Sequence, residues 1–271
     1  MNNRPTRLTL LSIIIAALFI SLGCTVGNFS NIDTVTVGEL NKETQTVDVG
    51  DAEQVRVYIK MGTGELKVNR GADTLMRANF TYNVADWQPQ VDYTVEDKNG
   101  RLSIRQPNSD QISICSDIRY TWDLKFNEET PLDMRVECGA GSGDIDLSKL
   151  NVTRFDGKIS AGDFIINLSG NQSLEYLELD VGAGDVTVDL NGDWEQDVEV
   201  YIQGGIGKTI LRLPKDIGVR VIVNKAIGTV DTQGLTRDGK VYTNDAYGVS
   251  PVTVEINIQS GIGETLLEVM E

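Results

Sequence analysis

The 271-residue chain carries a formal charge of −16 and contains no histidine and only three cysteines. A body this acidic repels nucleic acid and anionic headgroups. The lack of histidine removes the commonest general base and metal ligand, and three cysteines are too few for a cysteine-rich metal site. The composition implies no cofactor.

The chain opens with Arg4 and Arg7 and no acid. An apolar run over residues 8–22 follows, broken only by Thr9, Ser12 and Ser21, and it ends at Gly23-Cys24. Basic flank, short apolar core and small residue before a cut site make an export signal over 1–23. The run is shorter than the roughly 20 residues a spanning helix needs. The stretch Ile20-Ser21-Leu22-Gly23-Cys24 resembles a lipobox, with Ser21 where that signal usually has Leu. The resemblance implies that Cys24 is acylated, as by palmitate, and becomes the mature N-terminus. It predicts a lipid-anchored protein on the outer side of a cell membrane or in an outer membrane, since several chains on one Cys hold stably where one binds marginally. Residues 24–35 read as a polar tether.

Residues 36–106 alternate apolar and polar at Val55-Val57-Ile59, Leu66-Val68, Phe80-Tyr82, Val91-Tyr93-Val95 and Leu102-Ile104, with a hairpin signal at Lys98-Asn99-Gly100. This segment is expected to be an irregular β-capping part. Residues 107–121 are polar and loop-like. Alternation resumes at Trp122-Asp-Leu-Lys-Phe126 and Met134-Arg-Val136.

From there a repeat governs 122–271. The last glycine of each Gly-x-Gly-like core falls at 141, 162, 184, 207 and 228, at intervals of 21, 22, 23 and 21 residues, and then at 263 after a longer pass. An earlier copy is Met61-Gly-Thr-Gly-Glu-Leu. Each period is an alternating strand, a glycine turn and a second alternating strand. Such units cannot bury a face alone, but stacked as rungs they share one core. The prediction is an all-β, single-domain right-handed β-solenoid with glycine turns every ~21–23 residues. An antiparallel sandwich is the rival, but it would not require this steady glycine interval.

This frame could carry three chemistries. Acidic residues after the glycine turns (Glu65, Asp144, Asp163, Asp185, Glu264) would form a column about 4.8 Å apart, open to Ca²⁺, although Lys208 and Thr229 interrupt it. Acids simply suiting exposed turns is the plainer reading, and no metal ligand is assigned. A carboxylate pair among Asp144, Asp146, Asp163, Asp185 and Asp189 would suit polysaccharide cleavage on adjacent rungs. Yet Trp87, Trp122 and Trp194 are scattered, and they read as packing anchors. No catalytic residue is assigned and the chain is not expected to be an enzyme. Cys115 and Cys138 lie 23 residues apart, close to the repeat period, so a disulfide between neighbouring passes is expected, against two buried small hydrophobes.

The order Gly38-Glu-Leu, Met61-Gly-Thr-Gly-Glu-Leu, Tyr82-Asn, Trp122-Asp-Leu, Thr130-Pro-Leu, Gly139-Ala-Gly, Leu147-Ser-Lys-Leu150, Gly182-Ala-Gly-Asp, Leu213-Pro and Gly261-Ile-Gly resembles the bacterial toast-rack family over about 36–271. It is more distantly similar to LiaF-like cell-wall-active antibiotic-response proteins and to adhesin-like proteins. The resemblance implies a secreted or lipid-anchored β-solenoid in the cell envelope and supplies no catalytic residues. Together these readings predict a non-enzymatic binding or scaffold module whose partners are the membrane, through the lipid, and an envelope protein or glycan. One version has a role in envelope stress; the alternative is a surface adhesin or matrix-binding protein.

Overall fold

In the computed structural model, which describes residues 36–107 and 117–270, alternating sequence becomes strand almost throughout. Among the described residues fifteen strands form one continuous hydrogen-bonded sheet. They are β1 (Asn41–Val47), β2 (Gln54–Arg70), β3 (Met76–Tyr82), β4 (Gln90–Glu96), β5 (Asn99–Arg105), β6 (Tyr120–Phe126), β7 (Leu132–Asp146), β8 (Val152–Asn167), β9 (Tyr176–Ala183), β10 (Val186–Asp189), β11 (Val198–Leu213), β12 (Gly218–Gln233), β13 (Thr236–Asp238), β14 (Val241–Thr243) and β15 (Thr253–Val269). The chain is an all-β solenoid. Among the described residues no helix is long and apolar enough to cross a membrane.

The long strands each hold a corner. β7, for example, buries Leu132, Met134, Val136 and Cys138, exposes the corner around Gly141, and buries Ile145 beyond it. We call the halves before and after the corner the first and second arms. Parallel pairing in register then stacks identical positions into columns. Along the first arm Val57, Met134, Phe155, Leu177, Val200, Ile256 and Val221 run side by side through the core. Along the second arm Val68, Ile145, Ile166, Val188, Leu211 and Leu267 do the same. Each side chain covers its neighbour, which is how a strand too short to bury a face alone becomes stable.

The corner is a column of glycines. Gly64, Gly141, Gly162, Gly184, Gly207, Gly263 and Gly228 all hold φ between 124° and 151°. A Cβ on Gly162 would sit on the Gly141 carbonyl oxygen, so position and conformation both demand glycine.

The stacking order is not the chain order. β2 lies directly beside β7, with β5 and β6 on its other side. At the opposite end β15 is inserted between β11 and β12, pairing parallel with both. The longer interval between Gly228 and Gly263 is therefore the route of a chain that leaves β12, forms the β13–β14 hairpin and returns to fill the rung it skipped. β14 covers only residues Arg220–Ile222 of β12.

Antiparallel strands close the end beyond β2: β4 on β5, and β3 followed by β1 on β6. Behind them Phe80, Trp87, Tyr120 and Trp122 form a buried cluster, with edge-on pairs Phe80–Trp122 and Trp87–Tyr120 at 5.6 Å. The Tyr120 hydroxyl donates to the Trp87 carbonyl at 2.7 Å. Trp194 is also buried and donates to the Leu190 carbonyl at 2.9 Å. The β4–β5 turn is Asp97-Lys98, both at positive φ, one step before the sequence cue. Gly100 instead lies inside β5, where a Cβ would meet the Tyr93 hydroxyl and Val55.

Candidate interaction surface

The predicted acidic column is real but differently populated. Register places Ser142, not Asp144, beside Glu65 and Asp163, because Ser142 is the residue directly after the corner glycine and Asp144 is the third. The column runs Glu65, Ser142, Asp163, Asp185, Lys208, Glu264, Thr229. Its members have structural work. An Asp163 carboxylate oxygen accepts the Asp185 N–H at 3.3 Å, and one of Asp185 accepts the Lys208 N–H at 2.9 Å, stitching successive rungs. Lys208 then pairs with Glu264 at 3.2 Å. Like charges are thus relieved by backbone donors and a lysine.

The other predicted acids are also engaged. Asp146 accepts from Ser148 and from the Asn167 amide at 3.1 Å. Asp189 accepts the Asn191 N–H at 3.0 Å and lies 3.5 Å from Arg212. Asp144 falls on a different column of the second arm, between Lys67 and Ile165. Asp163 and Asp185 are direct neighbours in the column, tied by the backbone hydrogen bond between them, and among the described residues no group of three or more acids or cysteines is placed to hold a metal ion.

Cys138 is a buried free thiol on the first arm beside Met61 and Ile159. Burial pushes its pKa up to about 12. Cys24 and Cys115 lie outside the described residues.

The outer face of the first arm is an ion-paired lattice. Arg56 meets Asp133 at 3.0 Å, Arg135 joins Glu137 at 2.8 Å and Asp156 at 3.4 Å, and Arg154 lies over the Tyr176 ring at 3.9 Å. The Tyr58 hydroxyl donates to Glu137 at 2.8 Å. Burial, and then that bond, lift Tyr58 to about 12. Burial also raises the Glu137 carboxyl, but the bonds from Tyr58 and Arg135 outweigh it and leave the group below its ordinary value.

The second arm is different. At the corner, the residue before each corner glycine stacks as Thr63, Ala140, Ala161, Ala183, Ile206, Ile262 and Ile227. The three isoleucines are 60%, 50% and 65% exposed. Across the Asp185–Lys208–Glu264 column runs a second apolar line, Ile165, Thr187, Ile210 and Leu266, of which Ile165 is 52% exposed. Single exposed apolar residues are ordinary, but a register-aligned isoleucine line at the corner, with a second apolar line on the arm that leaves it, forms a patch. The sequence signal for it is the change from Gly-Ala-Gly at 139–141 and 182–184 to Gly-Ile-Gly at 205–207 and 261–263.

The family model describing the N-terminal domain of toast_rack, DUF2154, matches residues 36–176 and 170–212. The chain belongs to the toast-rack family. This toast-rack chain is also similar to a solved candidate cell adhesion protein of Clostridium sporogenes, with 29% identity and a TM-score of 0.68, over 86% of this chain and all of that one. A candidate adhesin of Parabacteroides distasonis is 12% identical with a TM-score of 0.33, over 86% of this chain and 98% of that one. A candidate lipid-binding protein of the same organism is 12% identical with a TM-score of 0.23, over 85% of this chain and 97% of that one. No curated protein matches the toast-rack chain.

Proposed function

We propose that this toast-rack protein is a non-enzymatic adhesion module of the cell surface, held to the membrane through acylated Cys24. It engages a protein partner through the isoleucine-lined corner and the adjoining outer face of its second arm. The observation that carries the reading is the line of exposed isoleucines Ile206, Ile262 and Ile227 at the corner, with the exposed Ile165 and the half-buried Ile210 on the arm beside it. Flat solenoid faces suit extended partners. The similarity to a candidate cell adhesion protein over nearly the whole chain supports adhesion over an envelope-stress role.

The test is chemical crosslinking on intact cells followed by pull-down, comparing wild type with Ile165→Asp/Ile206→Asp and with Cys24→Ala. Both positions are exposed, so the double variant should fold. The expected result is envelope proteins captured by wild type and lost with the Asp pair, and membrane fractionation lost with Cys24→Ala. An unchanged capture profile in the Asp pair removes the proposed face. Membrane association unchanged by Cys24→Ala removes the anchor.

A further inference from the structure

The two ends of the solenoid are finished differently. Beyond β2 both arms are covered, by β5 and β6, on which antiparallel strands are laid, and the outermost of these carry charge: Lys42 and Glu43 on β1, Asp92 and Glu96 on β4. At the other end only the first arm of β12 is covered. Cover stops at Val223, whose N–H donates to Lys240 at 3.0 Å, and at Asn224, whose side chain accepts from Lys240 at 2.9 Å. From Lys225 to Gln233, among the described residues, no strand pairs with the outer edge of β12. That stretch turns the Gly228 corner, and all of it is exposed except the half-buried Val230. An open edge is a template for another strand, and natural proteins ordinarily block it.

We propose that this edge is the contact between two copies of the chain, joined end to end about a two-fold axis through the Gly228 corner. The corner selects the occupant. A strand pairing along both arms must itself turn where β12 turns, and here the turn is made by glycine at φ 143°. The bent edge of a second β12 does this. A two-fold axis along the bisector of the corner exchanges its two sides, so the uncovered residues 225–227 of each copy lie antiparallel to residues 229–231 of the other. Such a contact is isologous and closes after two copies.

Charge agrees with this pairing. The chain as a whole is −16, which opposes self-association. The open stretch holds one cation, Lys225, and one anion, Asp231, on opposite sides of the corner. This exchange brings Lys225 of each copy into the neighbourhood of Asp231 of the other, twice per dimer. Self-pairing here meets a neutral, complementary edge on an otherwise repulsive body.

The experiment uses the full chain in intact cells. Thr229 is exposed and adjoins the axis, so Thr229→Cys should give a disulfide-linked dimer under mild oxidant. Glu65→Cys, at the same corner position on the other end of the column, should not. In sedimentation of the detergent-solubilised full chain, Lys225→Glu and Asp231→Lys should each weaken dimerisation by about tenfold, and the double swap should restore it. A monomeric wild type overturns the proposal. So does a dimer that ignores both single reversals, a double swap that fails to restore, or a Thr229→Cys crosslink that goes only to a different protein.

Discussion

Gly207 and Gly263 are neighbours in the corner column, although β12 and a hairpin separate them in the chain. A Cβ on Gly263 would overlap the Gly207 carbonyl oxygen, and its φ of 151° is one that side chains resist. Gly263→Ala should therefore cost about 3 kcal/mol or more, from backbone strain and forced separation of two rungs. Gly239, at φ 61° with open space around it, supplies the comparison: Gly239→Ala should cost about 1–2 kcal/mol. Urea midpoints at unchanged slope measure both. Equal losses would mean that the column is not what fixes the rung spacing.

A second prediction concerns volume exchanged between rungs. Phe164 is buried beside Gly143, and a Cβ on Gly143 would enter the phenyl ring. Phe164→Ala should lose about 3–5 kcal/mol to the cavity, and Gly143→Ala about 1–3 kcal/mol to overpacking. Together they should lose less than the sum, because the new methyl occupies vacated space. Strict additivity in a double-mutant cycle would refute the pairing.

Asn244 anchors the entry to β12. Its amide donates to the carbonyls of Pro214 at 3.1 Å and Ile217 at 2.7 Å, while its oxygen accepts the Val219 N–H at 2.9 Å. Buried as it is, Asn244→Ala strands several polar groups, and a loss of about 2–3 kcal/mol is expected in thermal or urea unfolding. The exposed Asn224→Ala should stay within about 0.5 kcal/mol of wild type.

Alkaline pH should weaken the fold through Tyr58. Its folded pKa is raised from 10.0 to about 12 by burial and by the bond to Glu137. A raised folded value means stability fully present below pH 10 and lost as pH climbs toward 12, where the folded state must also give up the proton. Tm should fall over that window, and Tyr58→Phe should make the fall shallower. A Tm profile unaltered by Tyr58→Phe would show that other tyrosines govern the alkaline limb.

Cys138 should be chemically silent while the rung is intact. The thiolate is the reactive form, and burial lifts this thiol to about 12. Mass spectrometry after iodoacetamide at about pH 8 should find Cys138 unmodified in native protein and labelled in denaturant. Modification of the native thiol would place it at the surface.

Much of this architecture is legible in residue order because the solenoid repeats one local instruction. A glycine that must accept positive φ every ~21–23 residues, flanked by alternation, gives rung, corner and buried face at once. The order of rungs is not legible. Gly-Ile-Gly at 205–207, at 261–263 and the Ile-Gly at 227–228 are chemically interchangeable, and nothing near them says that the strand from 253 stacks inside the one from 218. The same blindness misplaced Asp144: taking the first acid after a glycine as the column member passes over Ser142, which directly follows the corner Gly141 and pairs with Asp163. The turn at Asp97-Lys98 escaped because Asn99-Gly100 is a stronger local cue, and only the Tyr93 ring packed over Gly100 explains its place within β5. The apolar face was visible only once register aligned residues some twenty positions apart.

The insertion of β15 also bears on how the molecule is made. A chain emerging from its N-terminal side lays down β11 and then β12, whose permanent neighbour has not yet been synthesised. Until residues 253–269 arrive, β12 has to wait, or settle against β11 in a pairing that must later be undone. The final rung is therefore a late event that depends on distant contacts, the slow and aggregation-exposed kind. A ribosome pause or export delay before residue 253 would leave a gap in the stack that only the missing strand can fill.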